Sequence, residues 1–529
     1  MQHLTTGARL GFERSKAANG FTRTSLKAEA GEPMQGEAPV VSAPLATFIH
    51  LSDLHVCDAK SPARVEFLDR YADPDYATRE HFEYVGTYRP QEFLTLQVIE
   101  AMVQATNAIE SGPLLGGAID GVLLTGDVID NGQLNELEWY KTMMDGGQVS
   151  SASGLTDAVE AAHGVHPNFT DDHYYKPDAP ETSRAAELWG MAPVPGLAQA
   201  SQDTFTATGH RHPWFAIHGN HDALLQGTVR PDQMLNDFVV GDQKLAGLVE
   251  GADLHEVFAP FQEIGPAGYP DPKLMTTVEV TADVSRRFVE MSDWIDIHQG
   301  CWHDHGLAAD AKVAYWVRDF GQVRVIALDT VNEWGGWQGA IDQVQFAWLQ
   351  AQLEASTDRY VVLASHHPMQ DLFNDYHPEG VTSPAQTAEV AEELAKHPNI
   401  IAWVSGHVHD HNISFAKSEL GNWGFWQIRT GSHMDWPQQS RVIEIASTVD
   451  GRIAIGTQVF DHLGDQVMDL PSITKTTDDQ LKSPLYLAGI SRILAANDWQ
   501  RFEGSNSLEA LEGTATDRNV WLWLADPLL

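Results

Sequence analysis

Five short polar segments follow one another along the 529 residues: Asp53-Leu-His55, Gly126-Asp127-Val-Ile-Asp130-Asn131, Gly219-Asn220-His221-Asp222, Ser365-His366-His367-Pro368 and Gly406-His407-Val-His409. Oxygen and imidazole ligands bind Mn, Fe or Zn at neutral pH, and a carboxylate can bridge a pair of ions. Seven such side chains, Asp53, His55, Asp127, Asn220, His366, His407 and His409, supply three or four ligands per ion once one carboxylate is shared. Positions then stay open for water and substrate. In Asp53-x-His55 and His407-x-His409 the spacing puts both side chains on one face of an extended backbone, so that each pair can grip one ion.

Such a site needs elements that converge. Ala46-Thr-Phe-Ile-His-Leu51, Gly121-Val-Leu-Leu-Thr125, Trp214-Phe-Ala-Ile217, Tyr360-Val-Val-Leu-Ala364 and Ile400-Ile-Ala-Trp-Val404 are short apolar runs rich in β-formers, and each ends where a polar segment begins. Sites in open α/β sheets form at the carboxyl ends of strands, so five such ends predict one shared crevice.

The ordered set resembles the calcineurin-like metallophosphoesterase superfamily, whose pattern is D-x-H, G-D-x-x-D/N, G-N-H-D/E, H and G-H-x-H. The resemblance covers roughly Ala46 to Thr457, with long inserts as in a bacterial subgroup of that superfamily. It implies a four-layer α-β-β-α sandwich of two mixed sheets with two divalent or trivalent metal ions, Mn, Fe or Zn, at the strand ends. Asp53, His55 and His409 would hold the first ion, and Asn220, His366 and His407 the second, with Asp127 bridging. His221 matches the family's catalytic histidine, which contacts the phosphate and protonates the leaving oxygen; Asp222 would orient it, and His367 is not a ligand. The implied reaction is phosphoester hydrolysis by direct attack of metal-bound hydroxide on a small substrate. A phosphodiesterase is the first reading and a nucleotidase-like phosphomonoesterase the alternative. Asn131 and Gly132 follow Asp130 where protein phosphatases of the superfamily carry an arginine, which argues against phosphoprotein substrates.

Two other classes stand beside this one. A non-catalytic scaffold on the same fold normally lacks ligands or the histidine, and here Asp127, Asn220 and His221 are present. A structural metalloprotein has no need of His221.

Charge and composition bound the rest. With 33 basic against 73 acidic residues the net charge is -40, which opposes stable binding to nucleic acid or anionic lipid. Solubility or a salty habitat explains that balance more simply than an acidic-binding partner. The oligomeric state is not legible. Two cysteines, Cys57 and Cys301, encode no disulfide framework; Cys57 could add a soft ligand or pair with Cys301, but an inert buried thiol is the simpler expectation. No apolar run reaches the ~18 residues of a membrane span. The first 45 residues lack the apolar stretch of a secretory signal, so the expectation is cytoplasmic. The bacterial subgroup often carries a twin-arginine export signal; a start placed too far downstream would remove it, and export is the alternative.

Residues 1–45 form an N-terminal extension, 46–460 the catalytic domain and 461–529 a C-terminal extension packed on the core. Asp127 to Asn220 spans 93 positions and Asn220 to His366 spans 146, more than a plain strand-helix-strand crossover uses. Inserts are expected at about 131–211 and 223–310, the second broken at Gly265-Pro-Ala-Gly-Tyr-Pro-Asp-Pro272, and both are expected to wall the site. Val313 to Val317, Val323 to Leu328, Gly424 to Ile428, Arg441 to Ile445 and Arg452 to Ile455 read as further strands, and Ile341 to Leu353 and Leu485 to Ala496 as helices. Asn131, His433 and Arg441 are candidates for substrate contact, although a local hydrogen bond accounts for His433 equally well. His298, His303 and His305 fit no closed zinc pattern and read as a solvent-facing loop or lid.

Overall fold

A computed structural model describes residues 5–16, 22–76, 85–262, 271–501 and 504–529. Twelve strands build two sheets of six. In chain order they are β1 (Val41–Leu51), β2 (Gly121–Leu124), β3 (Trp214–Ala216), β4 (Trp316–Phe320), β5 (Val323–Ala327), β6 (Tyr360–Ala364), β7 (Ile400–Ser405), β8 (Asn412–Lys417), β9 (Gly424–Arg429), β10 (Gln439–Thr448), β11 (Arg452–Asp461) and β12 (Val520–Ala525). One sheet has the order β12-β11-β10-β1-β2-β3 and the other β4-β5-β6-β7-β9-β8. Strands β1 to β3 are mutually parallel, as are β5, β6, β7 and β9, and antiparallel strands complete each sheet.

The central strands read as continuous apolar runs because both of their faces are buried. Phe48 of β1 points inward with Val325 and Val362 of the facing sheet, while its neighbour Ile49 points outward onto Leu96 and Ile99. On β6 the alternation repeats: Val362 faces the other sheet, and Val361 and Leu363 meet Phe346, Leu349 and Val390. The outer partners lie on α1 (Thr95–Asn107), α2 (Leu134–Asp145) and α3 (Met291–Gln299) over the first sheet, and on α4 (Gln343–Glu354) and α5 (Thr387–Leu394) over the second. The expected four-layer sandwich of two mixed sheets is therefore the observed one.

Several boundaries move. The first strand begins at Val41, inside the presumed N-terminal extension, and β4 lies three residues later than Val313 to Val317 because the turn at Gly321, φ +59°, sets its register on β5. Ahead of that first strand, Ala8–Lys16 pairs antiparallel with Thr22–Ala30 and buries Leu10 and Leu26. The C-terminal extension contains α6 (Pro484–Ala495) and, beyond the expectation, β12, which completes the edge of the first sheet.

The first insert does not wall the site. Its Tyr175, Trp189 and Leu197 pack with Leu487, Ile490 and Trp499 of the C-terminal segment, forming a buttress. The second insert carries a ribbon of Gln243–Leu248 with Met275–Glu279; most of the Gly265–Pro272 break lies outside the described residues. A third excursion, unexpected, occupies residues 52–94 between β1 and α1.

His303 and His305 form no lid on the cavity; their loop faces solvent at Trp302 and Asp304 while the two imidazoles cap the free edge of β3. His303 Nε2 accepts from the Trp214 N–H (3.1 Å), and His305 accepts from the Ala216 N–H through Nε2 (2.9 Å) and donates to Trp214 O through Nδ1 (3.0 Å). Two imidazoles thus take the hydrogen bonds a further strand would make, and the edge is protected. Both cysteines are free thiols, Cys57 buried and Cys301 partly so. Among the described residues no helix is long and apolar enough to cross a membrane.

Candidate metal centre

All seven expected ligand side chains lie just past the carboxyl ends of parallel strands: Asp53 and His55 after β1, Asp127 after β2, Asn220 after β3, His366 after β6, and His407 and His409 after β7. Both sheets contribute, so the site bridges the sandwich at one end. The backbone there is unusual. Asp53, His55, Asp127, His407 and His409 have φ between +46° and +70°, a region that non-glycine residues seldom occupy. Gly126, φ +87°, and Gly406 let the strands close in: a Cβ on the first would stand 2.6 Å from His366 Nδ1, and on the second 2.3 Å from Asp53 Oδ2.

The ligand atoms face one another. His55 Nε2 lies 3.1 Å from His409 Nε2, and His409 Nε2 lies 3.3 Å from Asp53 Oδ1. His366 Nε2 lies 3.2 Å from His407 Nδ1 and 3.0 Å from Asp127 Oδ2, and the same Asp127 oxygen is 3.9 Å from His55 Nε2. Asp127 therefore sits between two nests of donors. Asn220 Nδ2 donates to Gly227 O, whereas its Oδ1 is buried with no hydrogen-bond partner among the described residues. An orphaned buried oxygen is expensive unless something positive meets it. This donor set suits two cations.

In three of the four imidazoles the opposite nitrogen is engaged from behind, which fixes those rings. His55 Nδ1 pairs with Asp130 (3.0 Å), His366 Nδ1 with Thr125 O (2.7 Å) and His409 Nδ1 with Asp435 (2.6 Å). Asp435 in turn receives Arg89 (2.9 Å) and Arg501 (2.6 Å), and Arg64 grips Asp130 together with Asn131 and Glu92. Sequence reasoning passed over Asp435, Arg64, Arg89 and Arg501. Arg64, Arg89 and Arg501 stand in no motif, and only tertiary contact connects them to the metal motifs.

Electrostatics favour cations in the pocket. Burial opposes ionising Asp127, yet His366 and His221 hold it well below the usual carboxylate range. Burial likewise opposes charging the imidazoles, but Asp127 raises His366 to about 9, and Asp53 with Asp435 raises His409 to about 9.

His221 reaches the same space. Its Nδ1 donates to Asp130 O at 2.7 Å, leaving Nε2 for the cavity, and its ring meets that of His55 edge-on at 4.6 Å. Burial draws its imidazole down to about 4, with Asp127 and Asp130 pulling the other way. Asp222 does not orient that ring: its carboxylate accepts from the backbone N–H of Gly219 (2.7 Å) and Ile129 (3.1 Å), so it pins the turn on which His221 stands. Contact with substrate is not supported at Asn131, His433 or Arg441. Asn131 is enclosed by Glu136 and Arg64, His433 by Ser52 O and Ser440, and Arg441 by Thr430, Thr457 and three backbone carbonyls. All three are fully buried. His367 spends both nitrogens on Thr330 and Trp337 O, as suits a residue that is not a ligand.

A cavity of about 580 Å³ opens over the ligands. Asp127, Asn220, His221, His407 and His409 form its floor, and Leu225, Val229 and Phe258 of the second insert wall it together with Val65, Leu68 and Arg89 of the third excursion. Arg501 and Trp337 complete the rim.

With that geometry in place, a family model described as calcineurin-like phosphoesterase matches residues 46–411, and the chain belongs to that family. It is accordingly a phosphoric ester hydrolase. No curated protein matches by sequence. Among solved structures a dimetal phosphatase from Danio rerio aligns at 13% identity over 79% of this chain and 100% of that one, with a TM-score of 0.29, too loose to carry an argument.

Proposed function

We propose that Asp53, His55 and His409 hold one ion and Asn220, His366 and His407 another, with Asp127 shared, and that the chain hydrolyses small phosphodiesters at this centre. The orphaned Oδ1 of Asn220, at the same strand ends as four imidazoles of which His55, His366 and His409 are held from behind, is the observation that carries the reading. When bound, paired cations lower the pKa of a shared water and neutralise charge on the phosphoryl group.

The chain's own groups do the rest. Asp130 O fixes the Nδ1–H of His221, so that Nε2 is the atom able to pass a proton to the leaving oxygen. Burial draws that imidazole down to about 4, so at neutral pH it must take up a proton before it can act as the acid. A phosphate brought beside it pulls its pKa upward, as Asp127 and Asp130 already do. The cavity is open at Trp337, 41% exposed, so the second ester group of a diester can project outward. A monoesterase is the second reading, favoured by Arg89 and Arg501 in the lining, whose charge suits a dianion.

The test is hydrolysis of bis-nitrophenyl phosphate and nitrophenyl phosphate by chelated protein with Mn, Zn or Fe restored. Turnover is expected to return with metal, to prefer the diester, and to vanish in Asp127→Asn. His221→Ala is expected to lose about 10²- to 10⁴-fold on alkyl esters and far less on nitrophenyl esters. Equal losses on both would remove the acid role, and an Asp127→Asn protein that still binds two ions per chain would remove the bridge.

A further inference from the structure

Trp337 is an anomaly for a structural tryptophan. It is 41% exposed, lines the metal-site cavity, and lies nearly parallel to His407, 18° between planes and 5.9 Å between centroids. Phe373, itself 38% exposed, stands edge-on to it at 5.9 Å. Exposed aromatic surface of this kind, placed in a cavity, marks a binding site more often than an accident.

The loop that carries Trp337 is held rigidly. Its carbonyl accepts from His367 Nε2–H at 3.0 Å, the Gly336 N–H donates to Thr228 O at 2.9 Å, and Asn374 Nδ2 donates to Gly335 O at 2.9 Å. The indole is thus presented at a fixed place beside a proposed ligand, with little ordering left to do when a ring lands on it. Resting on the phosphoesterase reading, we infer that Trp337 is the stacking surface for a planar aromatic group carried by the phosphoester, such as a nucleobase, with the phosphate at the ions. A quaternary ammonium is the other ligand class that seeks aromatic faces. Arg89 and Arg501 line the same cavity, and although Asp435 takes part of their charge, two guanidiniums there disfavour a cationic ligand relative to an anionic aryl or nucleoside phosphate.

The full-length, metal-loaded protein is compared with Trp337→Leu and Trp337→Phe on adenosine 5′-monophosphate, glycerol phosphate and phosphocholine, and on their methyl diesters. The expected result is a roughly 10- to 100-fold fall in kcat/KM for the adenosine esters in Trp337→Leu, carried by KM, with recovery in Trp337→Phe and less than about 2-fold change for glycerol esters. Calorimetry of adenosine 5′-monophosphate binding should weaken in parallel. Equal losses on adenosine and glycerol esters, or losses confined to the choline esters, would overturn the stacking role while leaving the hydrolase reading intact. Absence of turnover on every ester would overturn the hydrolase reading, and nucleotide binding unchanged in Trp337→Leu would then overturn the stacking role as well.

Discussion

Five proposed ligands, Asp53, His55, Asp127, His407 and His409, sit in left-handed backbone conformations that cost on the order of 1–3 kcal/mol each. Such strain persists only where surrounding contacts enforce it. Here the Asp53 carboxylate accepts from the His407 N–H at 3.2 Å and the Asp127 carboxylate from the His221 N–H at 2.9 Å, tying motif to motif. Asp435 shows how far the enforcement extends, since it is buried, holds His409 and pairs with two guanidiniums. Replacing it with Asn keeps the shape and deletes the charge. Asp435→Asn is expected to destabilise the protein by about 3–5 kcal/mol, because the buried carboxylate charge that Arg89 and Arg501 share is removed. It should also weaken metal binding about 10- to 100-fold, because His409 loses its orienting carboxylate. Urea unfolding and metal titration measure the two effects; wild-type affinity for both ions would reduce Asp435 to a purely structural group.

Among elements, β3 is the weakest support of the site. It has three residues, lies at the edge of its sheet and delivers Asn220 and His221 four and five residues beyond its end. The imidazoles of His303 and His305 replace the missing neighbour. In His305→Ala the Ala216 N–H and Trp214 O lose their partners, at about 1–3 kcal/mol for each buried group left unsatisfied. Denaturant unfolding should register that loss, and hydrogen exchange should show the Ala216 amide losing protection. An amide that stays protected would mean that something else closes the edge.

For the whole molecule, the proposed ligands come from both sheets and would make the ions a clasp across the sandwich: Asp53, His55, Asp127 and Asn220 follow strands of one sheet, and His366, His407 and His409 those of the other. Binding confined to the folded state raises stability by about 2.7 kcal/mol at a hundredfold excess over Kd. Chelation should therefore lower Tm by several degrees in the wild type and scarcely at all in Asp127→Asn. A Tm indifferent to chelator in both would contradict a clasp of ions.

That the seven proposed ligands converge was legible because metal ligation restricts residue types and because each follows an apolar run by a short distance. Strand periodicity also carried the two-sheet core, since the central runs of β1, β6 and β7 are apolar on both faces. What surrounds the ligands was not legible. Asp435, Arg89 and Arg501 come from chain segments hundreds of residues apart, and no local pattern links a guanidinium to a histidine it meets only after folding. The same cause misassigned the first insert: 131–211 reads as a wall of the site, yet its aromatic residues find their apolar partners on the C-terminal segment instead. Asp222 illustrates the limit within a motif, because adjacency to His221 suggests contact, whereas the turn sends its carboxylate to the backbone N–H groups of Gly219 and Ile129. Residue type and spacing determined the chemistry that this chain can perform. Only tertiary packing decided the shape of the cavity and which groups orient the ligands, because those depend on contacts between segments that share no local pattern.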